Sequence, residues 1–211
     1  MKRMVATCVA VAIALACAPG GAGPSHEPVV GLPCEGCDAV FAGLPDSLAW
    51  SARIAPAGEP GEAMRIEGVV RDGRGRPVAG VIVYAYHTNS RGVYPRDDRY
   101  TGVAGRHGRL RAWARTHENG RYRFDTIRPG GYPESDIPQH VHMHIIEPGR
   151  CTYYIDDILF RDDPRLTDAV RLRFDFKRGG SGVADPVRDG DGTWLVTRDI
   201  VLGENISGYP K

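Results

Sequence analysis

The sequence predicts an all-β sandwich, and three observations carry that expectation. From Arg65 onward apolar and polar residues alternate with the period of a strand. Clusters of Gly, Pro, Asp and Asn punctuate those segments at turn-like intervals. No segment has the length and 3.6-residue periodicity of a full amphipathic helix.

Taken in order, Arg65–Val70 alternates, residues 72–77 (Asp-Gly-Arg-Gly-Arg-Pro) have turn chemistry, and Val78–Tyr86 is an apolar, β-branched run. His87–Gly108 is irregular and long enough to be functional rather than a simple connection. Leu110–Thr116 resumes the alternation, residues 117–120 turn it, and Arg121–Phe124 returns as the second arm of a hairpin. Gln139–Ile146, Tyr153–Phe160, Val170–Phe176 and Thr193–Leu202 are the remaining expected strands. Trp113, Tyr122 and Phe124 alternate with polar residues and are expected in the core.

Ahead of that domain, Met1-Lys2-Arg3 followed by an apolar run to Ala16 reads as a signal peptide over residues 1–16, too short to span a bilayer. Ala14-Leu15-Ala16 before Cys17 satisfies the small-x-small rule for cleavage. It also resembles a bacterial lipobox with Cys17 as the lipid-bearing residue, although Ala14 stands where Leu is preferred. Lipoprotein anchoring through Cys17 and simple secretion or periplasmic release both remain open. Residues 17–64 are expected to form an exported tether and an N-terminal CxxC segment, and residues 65–211 the β domain.

Export places Cys34, Cys37 and Cys151 in an oxidising compartment. Cys34-Glu35-Gly36-Cys37 lacks the further soft ligands of a zinc ribbon and the strand-to-helix setting of a redox centre. A local disulfide or a bridge to Cys151 is expected, with one thiol left over. At 211 residues and a formal net charge of +1, the chain fits one domain and shows no bias toward nucleic acid. Arginines crowd residues 91–128; they read as water-facing strand positions, with a positive rim for an anionic aromatic substrate as the alternative.

The chemistry concentrates in residues 132–144, which contain His140-Val141-His142-Met143-His144. Alternate side chains of a strand share a face, so neighbouring histidines of this set stand about 7 Å apart at Cα and can converge on one ion. His144, roughly 13 Å from His140, is a poor third ligand and is expected to pack or to support the site from behind. Imidazole alone suits zinc, copper, nickel or iron, whereas a phenolate favours ferric iron. Tyr132 precedes the histidines in a Pro-Gly-Gly-Tyr-Pro turn, and Tyr94 lies in an earlier Gly-containing loop. His87 and His107 flank the irregular loop and are expected at the surface, with pocket lining as the alternative. Asp156-Asp157 reads as a strand or turn feature, and His26 and His117 as exposed.

Two resemblances follow from these residues. Residues 68–81, followed by Gly120–Phe124 and Pro129–Tyr132, resemble prealbumin-type modules, consistent with a prealbumin-like or immunoglobulin-like β-sandwich that need not be catalytic. The same segments resemble the intradiol ring-cleavage dioxygenases. Gly92-Val93-Tyr94, Pro129-Gly130-Gly131-Tyr132-Pro133 and Pro138-Gln139-His140-Val141-His142 stand in the order of that family's motifs. This second resemblance covers roughly Arg65–Leu202.

It implies a mononuclear non-haem Fe(III) site with Tyr94, Tyr132, His140 and His142 as metal ligands. It further implies an aromatic diol and O2 as substrates, a muconate-type diacid as product, and Tyr132 as the catalytic base displaced by the diol. Two departures stand out. Ile137 occupies the place of an Arg that commonly precedes the Pro of Pro-x-His-x-His, and Arg96 or Arg99 is the expected substitute. The long N-terminal helical region that some catechol dioxygenases use for dimerisation has no counterpart. The competing expectation is an exported, non-catalytic module whose histidines bind adventitious zinc or copper.

Overall fold

The computed structural model describes residues 26–31 and 36–211. The expected signal peptide, Cys17, the Ala18–Ser25 tether and Cys34 lie outside the described residues.

Eleven strands and two short helices make up the described chain besides a 3-10 turn at Cys37–Phe41. In order they are β1 (Ser51–Arg53), β2 (Ala63–Arg71), β3 (Ile82–Tyr86), α1 (Gly102–Arg106), β4 (Arg111–Arg115), β5 (Arg121–Ile127), β6 (His140–Glu147) and β7 (Cys151–Phe160). Then come α2 (Asp168–Phe174), β8 (Val183–Ala184), β9 (Val187–Arg188), β10 (Trp194–Thr197) and β11 (Ile200–Val201). The strands form two sheets. One runs β1-β5-β2-β10-β9 with β11 beside β2, and the other runs β4-β3-β6-β7-β8. The chain is therefore β-rich, as the alternation implied. Residues 37–53, placed by sequence ahead of the β domain, supply the 3-10 turn and β1, which pairs with β5.

Alternation decides what each face of the second sheet does. Val83 and Ala85 of β3, Ala112 and Ala114 of β4, and Val141, Met143 and Ile145 of β6 join Ile66, Tyr122, Phe124 and Val196 of the first sheet in one core cluster. Burying such side chains contributes roughly 1.5–3 kcal/mol each, so this shared cluster holds the sheets together. The intervening residues, Tyr84, Tyr86, His140, His142 and His144, fall on the opposite face. That face carries its own cluster of Val40, Ile82, Tyr84, Tyr86, Trp113 and Ile146, covered by Phe41, Leu44 and Leu48.

A β-bulge interrupts the pairing of β6 with β7. Val141 opposes Ile158 and Met143 opposes Ile155, so β7 carries one residue more than β6 over this step. Core-facing positions on β7 accordingly jump from Ile155 to Ile158. The extra residue changes the phase of the strand, which brings Asp157 beside His142.

Three expectations are corrected. Val170–Phe176 does not form a strand but lies largely in α2, where Thr167 Oγ1 accepts the Val170 N–H as an N-cap. Its alternating apolar residues have no sheet edge to join, and Leu172 and Phe176 stay exposed. The bridge from the CxxC to Cys151 is not formed. Cys151 is a buried free thiol in the core between the sheets, whereas Cys37 is disulfide-bonded to a partner outside the described residues. Finally, His87 and His107 are not surface residues but buried ones, because the irregular loop folds back on the sheet.

His87 shows what that burial entails. Its Nδ1 lies 2.6 Å from the Thr88 carbonyl oxygen and must donate to it, so Nε2 accepts from the Thr126 hydroxyl at 2.6 Å. Both nitrogens are satisfied in the neutral ring, and burial pushes the pKa down to about 4. The unfolded chain binds this proton near the ordinary pKa of about 6.5. The stabilisation is therefore complete above that pH and is lost as pH falls toward 4, by about 3 kcal/mol. Urea midpoints measured across this range should fall with acidification, and a flat profile would contradict the assignment.

Candidate metal centre

β6 brings His140 and His142 to the outer face of the second sheet, and two loops carry the phenols over them. Tyr94 follows Gly92, whose φ of +78° suits glycine and where a Cβ would run into the Gly131 carbonyl. The two tyrosine-bearing loops are thus pressed backbone to backbone. The Asn89 carbonyl reinforces this by accepting from the N–H groups of Gly92 and Gly130.

All four residues singled out by sequence come together. His142 Nε2 lies 2.8 Å from Tyr94 Oη, which lies 2.6 Å from Tyr132 Oη, which lies 3.1 Å from His140 Nε2. Donors around one tetrahedral ion at 2.0–2.1 Å stand about 3.3 Å apart, so a slight opening of this chain would admit an ion. The imidazoles are already poised for one. His140 Nδ1 donates to the Pro138 carbonyl at 2.7 Å and His142 Nδ1 to Asp157 Oδ1 at 3.0 Å, which leaves both Nε2 lone pairs aimed at the phenols.

The electrostatics ask for a cation. Burial, with Tyr132 adding to it, raises the Tyr94 pKa far above its ordinary value, and burial raises that of Tyr132. Neither phenol ionises near neutral pH unless a positive charge sits between them. Burial also lowers the His140 pKa, keeping that ring neutral and available as a donor. Two phenol oxygens and two imidazole nitrogens therefore fit a hard trivalent ion.

His140, His142 and Asp157 also present donor atoms within 4.8 Å of one another. Asp157, read from sequence as a strand or turn feature, is a site residue. It faces Nδ1 of His142, the nitrogen turned away from the phenols, so its geometry is that of an orienting carboxylate. Burial opposes its ionisation, but His142, joined by His140 and Tyr154, outweighs this and holds the Asp157 pKa below the ordinary range. Asp157→Asn should weaken metal binding by roughly 10- to 100-fold, read by competition with a coloured chelator; unchanged affinity would deny the orienting role.

His144 stands apart from the four-donor chain, as its distance along the strand implied. It is buried, with Nδ1 3.7 Å from Cys37 Sγ and its ring edge-on to Tyr154. Tyr86, which sequence reasoning did not single out, stacks between His107 and His142 at centroid distances of 3.9 and 4.5 Å.

A cavity of about 390 Å³ opens over the centre, lined by Tyr94, Tyr132 and His142 together with Arg106, Tyr154 and Arg178. That volume suits a one-ring ligand. Arg96 and Arg99, the expected substitutes for an Arg at Ile137, do not line it. Both point into solvent and pair with Asp98 and Asp97 at 2.6 and 2.8 Å. Most arginines of the crowded region are solvent-facing or paired, but Arg111 is buried against Tyr100 and Arg106 reaches the cavity.

Comparison with known proteins places this geometry. A family model described as "Dioxygenase" matches residues 47–173. The 6-chlorohydroxyquinol 1,2-dioxygenase of Cupriavidus pinatubonensis is 31% identical over 166 residues, covering 71% of this chain and 56% of that protein. The protocatechuate 3,4-dioxygenase beta chain of Burkholderia cepacia is 32% identical over 124 residues, covering 52% and 49%. Among solved structures, the dioxygenase domain of a dioxygenase and carbohydrate-binding fusion protein from Streptomyces sp. SirexAA-E superposes with a TM-score of 0.56 at 26% identity. That match covers 75% of this chain and 90% of that one. The chain spans about half the length of the curated relatives it matches. With the motif order, the fold and the family match in agreement, the chain belongs to the intradiol ring-cleavage dioxygenase family.

Proposed function

We propose that the chain is an intradiol dioxygenase that holds one Fe(III) through Tyr94, Tyr132, His140 and His142. It cleaves a catechol-type ring with O2 between the two hydroxyl-bearing carbons, giving a muconate-type diacid. The observation that supports this most strongly is the convergence of two phenol oxygens and two imidazole Nε2 atoms, three of the four residues lining one cavity. The β domain, read as residues 65–211 in a prealbumin-like sandwich, serves as the rigid platform for these groups. Export under the N-terminal signal, with Cys17 lipidation or free release, belongs to the same proposal. Among the described residues no helix is long and apolar enough to cross a membrane.

A ferric ion held by Tyr94, Tyr132, His140 and His142 would supply Lewis acidity and an acceptor for electron density from the diol. The chain's own groups do the rest. His140 and His142 are held in place through their Nδ1 hydrogen bonds. Tyr132 lines the cavity just ahead of the turn at Pro133–Glu134, and it is assigned here as the phenol that swings away. In leaving, its oxygen takes a proton from the incoming diol and acts as the base. Tyr94, whose ring packs toward Tyr86 and His142, remains in place.

The test is oxygen uptake by iron-loaded protein with catechol, coupled to identification of the product. One O2 consumed per ring and a ring-opened diacid are expected. A bound diol left unchanged in air would refute the activity while leaving metal binding intact.

A further inference from the structure

The ring of His142 is held on two sides. Asp157 meets its Nδ1 at the edge, and Tyr86 covers its face at a centroid distance of 4.5 Å, 23° from parallel. Tyr86 in turn stacks on His107, 3.9 Å away and 5° from parallel. His107 is itself fixed, with Nδ1 2.8 Å from the hydroxyl of the buried Tyr84. A hydrogen bond at one nitrogen leaves a ring free to tilt about that bond, whereas a stack against its face does not. Tyr86 and His107 therefore set an angle of His142 that Asp157 alone leaves open.

Behind His107 stands the 3-10 turn Cys37–Phe41. Gly36 opens it at a φ of +85°, and a Cβ there would lie 2.7 Å from His107 Nε2 and 3.2 Å from Val103 Cγ1. The backbone of the turn thus rests on the outer ring of the stack and on α1. Cys37 is buried and disulfide-bonded, and its Sγ lies 3.7 Å from His144 Nδ1. No side chain caps the turn, whose own hydrogen bonds run from the Ala39 N–H to the Gly36 carbonyl and from the Ala42 N–H to the Ala39 carbonyl. Trp113 adds one more, its indole N–H donating to the Val40 carbonyl at 2.7 Å. Beyond that bond and its packing, the turn is kept in place by a covalent link at Cys37.

We propose that the disulfide closed by Cys37 clamps the metal centre: it keeps the turn against His107, and Tyr86 and His107, as positioning residues, hold His142 at the angle the ion needs. This inference rests on the four-donor reading of the site. Reduction by a dithiol breaks the S–S bond, delivers two electrons and two protons to the two sulfurs, and leaves the reagent as its own disulfide. Released at that end, the turn withdraws from His107 and the stack loosens. The oxidised chain is then the metal-binding form, so the centre is completed in a compartment where disulfides form.

The test uses Ga(III), a hard trivalent ion that thiols do not reduce, with the full-length protein. Affinity is measured by competition with a chelator, and ligation is read from the phenolate difference band in the ultraviolet. The oxidised wild type should bind at least about tenfold more tightly than the same protein reduced by a dithiol and freed of reagent without air. Cys37→Ser should match the reduced protein and no longer respond to the dithiol. Tyr86→Leu should lose affinity by a similar factor with the disulfide intact, and Tyr86→Phe, which keeps the stacking ring, should bind like the wild type. Equal affinity in the oxidised and reduced wild type overturns the proposal without any variant, and so does wild-type affinity in Tyr86→Leu. Reduction that unfolds the sheets, seen by far-ultraviolet circular dichroism, also overturns it, because the clamp acts on the stack alone. Absence of a phenolate band in the oxidised wild type fails the four-donor reading itself and this inference with it.

Discussion

His142→Ala should abolish stoichiometric iron binding. The substitution removes one of the two Nε2 donors and leaves Asp157, otherwise hydrogen-bonded to His142 Nδ1, without its imidazole partner. Loss of a direct ligand must exceed the roughly 10- to 100-fold cost of losing its orienting carboxylate, so affinity should drop by more than about a hundredfold. Iron per chain after dialysis, measured by elemental analysis, should fall from one to near zero. The fold should survive, because His142 faces the cavity and not the core between the sheets. Retention of one tightly held iron in this variant would place the ion elsewhere.

Tyr132→Phe should separate metal binding from turnover. The variant keeps His140, His142 and Tyr94 but loses the phenol oxygen proposed as base. Removing a positioned base typically costs 10²- to 10⁴-fold, and a drop of about that size in kcat for catechol cleavage is expected. The visible band should shift rather than vanish, since Tyr94 still contributes a phenolate. If instead Tyr94→Phe stopped turnover while Tyr132→Phe left it untouched, the two tyrosines would have exchanged roles.

How legible this site was in the sequence depends on the range of the interactions involved. His140 and His142 could be read directly, because strand periodicity alone puts them on one face. The β-rich architecture was legible for the same reason. Tyr94 and Tyr132 could be noted as possible phenolates, but only the resemblance joined them to the histidines as one ligand set, since their meeting depends on two loops packed at Gly92 and Gly131. Asp157 was missed because a bulge sets its direction, and the extra residue on β7 leaves no local mark in the chain. Alternating apolar residues made α2 resemble a strand, although it has no sheet edge to join. Arg178 was invisible for a longer-range reason: its direction depends on Asp156 and on the buried Arg198, 22 and 20 residues away. Arg96 and Arg99 looked more suitable only because they stand in the same irregular loop as Tyr94.

The arrangement also separates structural from chemical duties within one sheet. Alternate residues of β3, β4 and β6 build the core on one side and the aromatic and imidazole layer on the other. A rigid strand thereby fixes the imidazoles while the phenols arrive on loops, where one of them can move. Sites held on regular elements keep their geometry better than sites on loops, which agrees with the proposal that the histidines stay fixed while Tyr132 leaves.

The most direct test is the visible absorption and resonance Raman spectrum of the iron-loaded wild-type protein. Two phenolates on one ferric ion predict a wine-red colour, with tyrosinate modes enhanced on excitation into the visible band and the intensity reduced in Tyr94→Phe. A colourless protein carrying one equivalent of iron, or a band without tyrosinate modes, would contradict the four-donor centre.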